Sequence, residues 1–371
     1  MKINRVETYP LLYRLPVPYG DANGYKKYRS TFVIRIVTES GIDGWGECAD
    51  WLPALKIGFE QRIIPYLTGR DAHLRNEIVG RVAEWHRRAA AAVSMALVEI
   101  AAKSAGIHVC ELWGGRLRSE VPVYASFQSY LPEENWQRKS LENVTRAADR
   151  GFRQAKVKIG GKPLAEDQRH IRLLQHELGG VMAFMLDANQ SYDAATVKKW
   201  LPLFGQWQNT VWLEEPLPFR LAGEYAALRG ALPVPLAGGE NLAGADSMMP
   251  LLENRALDIV QPDPAHHAGL DAYRESLNVA RLFGFRVSPH CYDGGIARMY
   301  AIFAQACLPP WSKIKPEQIE PVEWDFMDNP LAGIMPLSVT NGTVTLPSGP
   351  GTGAEPDLEL IRAYLWDGSC Y

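Results

Sequence analysis

The 371 residues carry 39 Lys and Arg against 42 Asp and Glu, a formal net charge of -3 with no excess of cations to suit nucleic acid. Hydrophobic residues at 47% and charged residues at 22% fit a globular protein long enough for one large barrel and a smaller companion domain. The most apolar stretch, 89–100, contains Ser94 and Glu99 and is too short to span a bilayer, and Met1 to Arg5 lead into no signal-peptide core. A cytoplasmic protein with neither a membrane nor a nucleic-acid partner is expected. The five cysteines (Cys48, Cys110, Cys291, Cys307, Cys370) are scattered, odd in number and without a Cys-x-x-Cys spacing, so they read as reduced packing residues.

In chain order, the first 60 residues look antiparallel, with strand-like runs at 9–13 and 31–37. Between them, Pro18 to Ser30 reads as a long polar and aromatic loop. Residues from about 60 to 106 read as helices, the Ala-rich segment 87–105 having the highest intrinsic propensity, and Gly114-Gly115 marks a stop. From 121 onward, short apolar runs alternate with helix-length amphipathic segments. The runs fall at 121–127, 154–159, 182–186, 211–213, 234–237, 257–260, 285–288 and 319–322, eight strands that predict a parallel α/β barrel. The piece after about 345 is too short for a domain and is expected to pack back on the N-terminal one. The division expected is 1–120 with 345–371 as one unit and 121–344 as the catalytic barrel.

A polar residue follows almost every strand: Lys158, Asp187, Glu214, Glu240, Asp263, His290 and Glu323. The gaps are 29, 27, 26, 23, 27 and 33 residues, about one βα unit each. In a barrel all strand ends of one sense meet on one face, so this spacing predicts a shared pocket. Asp187, Glu214 and Glu240 are three like charges that need a cation, and an all-oxygen set points to Mg2+. Taken singly, each carboxylate is as well explained as a helix cap or a surface ion pair. Lys156 and Lys158 share one strand face, where two ammonium groups are expected to lower each other's proton affinity and suit one to act as a base. Asp263 can hold one nitrogen of His290 and leave the other to exchange a proton. His266 and His267 are placed in a loop lining the mouth.

These residues resemble the enolase superfamily, specifically its mandelate racemase subgroup. The resemblance lies in Trp45-Gly46-Glu47, Leu112-Trp113-Gly114-Gly115, Lys156-Val157-Lys158, Asp187-Ala188-Asn189, Leu213-Glu214-Glu215-Pro216, Gly238-Gly239-Glu240-Asn241, Gln261-Pro262-Asp263, Ser288-Pro289-His290 and Val322-Glu323-Trp324. It implies an N-terminal α+β capping domain, completed by the C-terminal segment, on a (β/α)7β TIM-like barrel. It also implies Mg2+ on Asp187, Glu214 and Glu240, Lys158 as base, His290 with Asp263 as the opposing acid/base, and Glu323 hydrogen-bonded to the substrate carboxylate. Glu320 competes with Glu323 for that role. Asp263 stands where the cycloisomerase and dipeptide-epimerase branch has lysine, which disfavours that branch. A homo-oligomer is the family's habit.

The expected chemistry is abstraction of a proton alpha to a carboxylate by Lys158, with Lys156 assisting and His290 protonating a departing β-hydroxyl. The product is a 2-keto-3-deoxy acid from an aldonate or aldarate; racemisation or epimerisation of a 2-hydroxy acid by the same pair is the alternative. A catalytically silent binding barrel is disfavoured because no acid/base residue is missing. Substrate contacts are expected from Tyr25, Lys26, Arg29 and Trp51 of the N-terminal loops, from Gln128 on the first barrel strand and from Asn189 beside the metal ligands.

Overall fold

The computed structural model describes residues 1–292, 294–314 and 318–371. Three strands, β1 (Ile3–Asp21), β2 (Gly24–Thr38) and β3 (Asp43–Cys48), form an antiparallel sheet in that order. The segment read as a loop between 18 and 30 is instead the tip of a β1–β2 hairpin, with Tyr19↔Lys26, Gly20↔Tyr25 and Asp21↔Gly24 paired. Its Tyr residues favour strand, and the Ala22-Asn23 turn is closed by Gly24 at φ +115° and by the Asn23 N–H donating to Asp21 Oδ1 at 2.7 Å. One face of the sheet buries Phe32, Ile34 and Ile36 against Val93, Leu97 and Ile100 of the helix Arg87–Ala105. Each such side chain contributes about 1.5–3 kcal/mol.

That helix lies so close to β3 that a Cβ on Gly46 would come within 1.9 Å of the Ala92 carbonyl oxygen. Glycine in the Trp45-Gly46-Glu47 motif is therefore a packing requirement. Its neighbour Glu47 is buried, and its Oε1 accepts the Ala297 N–H at 2.6 Å at the start of the helix Gly295–Cys307. The first sheet and the remainder of the chain thus share a buried polar contact.

The eight strands expected from 121 onward are all present: β4 (Glu120–Ser126), β5 (Gln154–Lys158), β6 (Ala183–Asp187), β7 (Thr210–Glu214), β8 (Leu236–Gly238), β9 (Ile259–Val260), β10 (Arg286–Val287) and β11 (Val322–Asp325). The eighth lies about three residues later than the apolar run at 319–322 predicts, because Ile319 to Pro321 lead into the strand. The parallel order is β10-β9-β8-β7-β6-β5-β4, with β11 on the other side of β4. Among the described residues β10 and β11 are not ladder partners, although the Glu323 N–H donates to Pro289 O at 3.3 Å just past β10. The sheet is mixed, since a hairpin of β12 (Val339–Thr340) and β13 (Thr343–Thr345) runs antiparallel to β4. One strand face packs against the helices in the main core. The opposite face buries a small separate cluster of Tyr124, Met185, Trp212, Ala237 and Ile259.

The C-terminal residues reach the first sheet: the Leu12 N–H donates to Tyr364 O at 2.9 Å and the Trp366 N–H to Pro10 O at 2.8 Å. All five cysteines are free. No helix among the described residues is long and apolar enough to cross a membrane.

Candidate active site

Strand register sets the site. Lys158 pairs with Asp187 and Asp187 with Glu214 across β5, β6 and β7, so three ionisable residues stand at one height. Two-residue alternation puts Met185 and Trp212 of the small inner cluster on the same face, one step below. The acid/base groups therefore rest on an apolar floor. On the far side, Glu323 pairs with Tyr124 and Trp324 with Ala125 as β11 runs beside β4.

Lys156 is fully buried at the centre. Its Nζ lies 2.7 Å from Glu214 Oε1, 2.9 Å from Glu323 Oε1 and 3.7 Å from Asp187 Oδ2. Burial alone pulls its pKa down, yet the carboxylates of Glu214 and Glu323 prevail and hold it well above an ordinary lysine. The Lys158 Nζ is bound to Asp187 Oδ2, and its backbone N–H donates to Ser129 Oγ at 2.7 Å. Burial and Lys156 depress its pKa, but Asp187 leaves it raised overall. Lys156 thus lowers Lys158 as expected, but the carboxylates beside the two ammonium groups outweigh that effect and leave both pKa values raised.

Glu214 also accepts from Trp212 Nε1 at 2.9 Å and Gln261 Nε2 at 2.8 Å. Burial, with Asp187 and Glu323 nearby, lifts it to about 7 despite Lys156. Glu240 Oε2 lies 3.0 Å from His290 Nε2, and His290 Nδ1 lies 2.6 Å from Asp263 Oδ2. Burial disfavours the imidazolium, but Glu240, Glu323 and Asp263 hold the His290 pKa well above its usual range. Glu323 Oε2 accepts the Cys291 N–H at 3.1 Å. Glu320 instead pairs with Arg286 at 2.8 Å, below the first residue of β11, and the geometry brings Glu323 alone into the cluster.

The expected trio of carboxylates takes the form of a carboxylate–ammonium network. Among the described residues, no three His, Cys, Asp or Glu side chains converge tightly enough to enclose an ion. The donor chemistry nevertheless fits a hard cation: Asp187, Glu214 and Glu240 offer only oxygen. Glu214 is raised first by burial and then by Asp187 and Glu323, and a divalent cation beside it would oppose that rise.

Beside this network is a cavity of about 250 Å³ lined by Lys158, Asn189, Glu240, His290 and Gln128, and by Lys26 and His266 at its edge. Among the described residues, buried Asn189 Oδ1 and Gln128 Oε1 have no hydrogen-bond partner. His266 lines the cavity as expected; His267 is buried outside it, held by Asp263 O and Ser276 Oγ.

Three expected substrate contacts lie elsewhere. The Arg29 guanidinium is buried against Asp325 Oδ2 at 3.2 Å, donates to Tyr292 O at 2.9 Å and stacks on the Tyr292 ring at 4.1 Å. The loop reading had exposed it; the hairpin turns it inward. The Tyr25 hydroxyl donates to Leu131 O at 3.1 Å, and Trp51 is 61% exposed; both line an outer groove rather than the cavity.

Several residues to which the sequence reading gives no individual role also belong to the site. Asp21, Asn23, Arg88, Asn241 and Tyr292 line the cavity. Glu215 is buried, accepts from Gln190 Nε2 at 2.9 Å and Gly239 N–H at 3.2 Å, and is lifted to about 8 by burial and Glu240. Alternation predicts it on the face opposite Glu214. A left-handed φ of +40°, shared in kind by Asn189 and Gln190, turns it into the gap between strand ends.

Residues 10–114 match the family described as Mandelate racemase / muconate lactonizing enzyme, N-terminal domain, and residues 139–360 match the Enolase C-terminal domain-like family. The chain is 32% identical to the D-galactarolactone cycloisomerase of Agrobacterium fabrum, covering 98% of this chain and 99% of that protein. It is 26% identical to the arabinonate dehydratase of Saccharolobus solfataricus over 86% of each. Among solved structures, a member of the enolase superfamily from Polaromonas sp. JS666 superposes with a TM-score of 0.86 at 26% identity, covering 100% of both chains.

Proposed function

This chain belongs to the mandelate racemase / muconate lactonizing enzyme family of the enolase superfamily, and from that premise we propose that it abstracts a proton alpha to a carboxylate and dehydrates an acid sugar. The observation that carries this reading is that Lys158 and His290, from strand ends five strands apart, line one cavity beside Asn189 and Glu240. On the same reading the eight parallel strands close into a (β/α)7β barrel, capped by residues 1–120 with 345–371, and the protein is a cytoplasmic homo-oligomer.

Asp187, Glu214 and Glu240 are the oxygen set that would hold Mg2+. Bound there, the ion supplies positive charge to a substrate carboxylate, and so raises the acidity of the neighbouring carbon. With Asp187 and Glu240 committed to that ion, Lys158 would keep only Asp21, the smallest of the influences that raise its pKa, against burial and Lys156, which lower it. Lys158 is then suited to take the alpha proton. Lys156 provides a donor for the developing enediolate, and Glu323, 2.9 Å from its Nζ, holds that ammonium in place. His290 gives a proton to the β-hydroxyl as its C–O bond breaks, releasing water. The enol that remains becomes the 2-oxo acid. Asn189 and Gln128, with unpartnered buried carbonyl oxygens, meet substrate hydroxyls.

A second reading keeps the first step and changes the leaving group. The relative at 32% identity acts on a lactone. Loss of a lactone carboxylate from the β-carbon would give the same type of product by ring opening. Racemisation by the same Lys158/His290 pair is the third outcome.

An acid-sugar and lactone library in deuterated water with Mg2+ separates all three. Oxo-acid formation from free acids supports dehydration, from lactones only supports ring opening, and exchange with inversion alone supports racemisation. Full turnover by both Lys158→Ala and His290→Asn would remove the assignment altogether.

A further inference from the structure

The cavity is one of two joined chambers. An outer groove of about 480 Å³, lined by Tyr28, Trp51, Tyr371 and Lys27, shares Lys26 and Arg88 with the inner cavity. Arg88 therefore stands at the neck between them. It is half-buried, at the start of the helix Arg87–Ala105. Its Nη1 donates to Ala49 O at 2.5 Å, and among the described residues no carboxylate lies within ion-pair distance of it. Anions facing the same inner cavity are otherwise engaged: Glu240 by His290 at 3.0 Å, and Asp21 by the Asn23 N–H at 2.7 Å. A guanidinium partly withdrawn from water with no counter-ion is costly unless something anionic arrives to meet it. Its planar fork fits a carboxylate through two parallel hydrogen bonds.

We propose that Arg88 selects a dicarboxylate, taking the substrate's second carboxylate at the neck while the first lies at the Lys158/His290 end. This rests on the proton-abstraction reading above and narrows the substrate class to an aldarate. An aldonate ends in a neutral hydroxymethyl group. An aldarate monolactone has its second carboxyl esterified. Neither offers the charge that Arg88 lacks.

The test uses the whole protein with Mg2+ and matched aldonate/aldarate pairs of four to six carbons, each scored for deuterium exchange at the alpha carbon and for oxo acid. The expected result is a kcat/KM at least 10-fold higher for the best diacid than for its monoacid. Arg88→Met brings that ratio within twofold of unity, and Arg88→Lys, which keeps the charge without the fork, falls between. Arg87→Met, an exposed neighbour lining neither chamber, leaves the ratio as it is. Monoacids or lactones processed as well as diacids by the unaltered protein would overturn the inference and leave proton abstraction standing. So would a ratio that survives Arg88→Met, or one that falls equally in Arg87→Met. Absence of exchange on every acid would overturn both readings.

Discussion

His290 Nδ1 lies 2.6 Å from Asp263 Oδ2, across the ends of neighbouring strands β9 and β10. The contact commits one ring nitrogen and leaves Nε2 toward the cavity side, 3.0 Å from Glu240. Asp263→Asn keeps the shape but offers an amide, which can hold the wrong tautomer. Turnover is expected to fall roughly 10²- to 10⁴-fold by comparison with the same change in other carboxylate–histidine pairs. Rates on an identified acid, with alpha-proton exchange followed separately, check this. Exchange should survive better than product formation, because Lys158 is left in place.

Metal removal is expected to cost activity but not the fold. Lys156 and Lys158 already supply counter-charge to Glu214, Glu323 and Asp187. Chelated protein should therefore keep its far-ultraviolet circular dichroism and lose turnover. Returning Mg2+ to about 100 times its dissociation constant adds about 2.7 kcal/mol of stability. A thermal melt with and without the ion reads that gain.

Arg29 is expected to matter for stability. Its guanidinium and the Asp325 carboxylate are both almost wholly buried at 3.2 Å. Arg29→Met leaves that carboxylate without its cation, at a cost of about 3–5 kcal/mol. Urea denaturation measures it. A normal unfolding midpoint with a raised KM would instead restore Arg29 to the substrate.

His170 supplies a pH signature remote from the site. It is fully buried on the helix Leu164–Leu178, with Nε2 bonded to Ser140 Oγ at 2.9 Å, and burial lowers its pKa from 6.5 to about 3. The unfolded chain takes up this proton first, so stability present above 6.5 is lost as pH falls toward 3. Between pH 6.5 and 5 the loss is about 1.6 kcal/mol. Unfolding free energies from urea melts at those two pH values should differ by that much more in the native sequence than in His170→Gln.

The parallel-strand half was legible because each strand is an apolar run ended by a polar residue, a period that survives burial. Lys158, Asp187, Glu240 and His290 were found that way, and they meet around one cavity or its wall. What failed was local. Polar and Gly-rich residues at 18–30 suggest a loop, but cross-strand pairing of Tyr19 with Lys26 and of Tyr25 with Gly20 makes a hairpin, and the hairpin decides that Arg29 points inward. Glu215 was hidden by alternation and revealed by a left-handed backbone turn. Arg88 sits in an Ala-rich helix whose periodicity speaks only of packing. The lysine pKa values depend on distances to carboxylates 29 to 167 positions away, counting Lys158 to Asp187 and Lys156 to Glu323.

The buried Glu47–Ala297 contact has a bearing on how the protein opens. A carboxylate from β3 closes the first turn of a helix whose residues are nearly all buried. Separating the two halves as rigid bodies would break this bond and give up the packing that encloses it. The hairpin tip carries a second tie of the same kind, Gly20 N–H to Tyr130 O at 2.8 Å, so the first sheet is pinned to the rest of the chain on both sides of the cavity mouth.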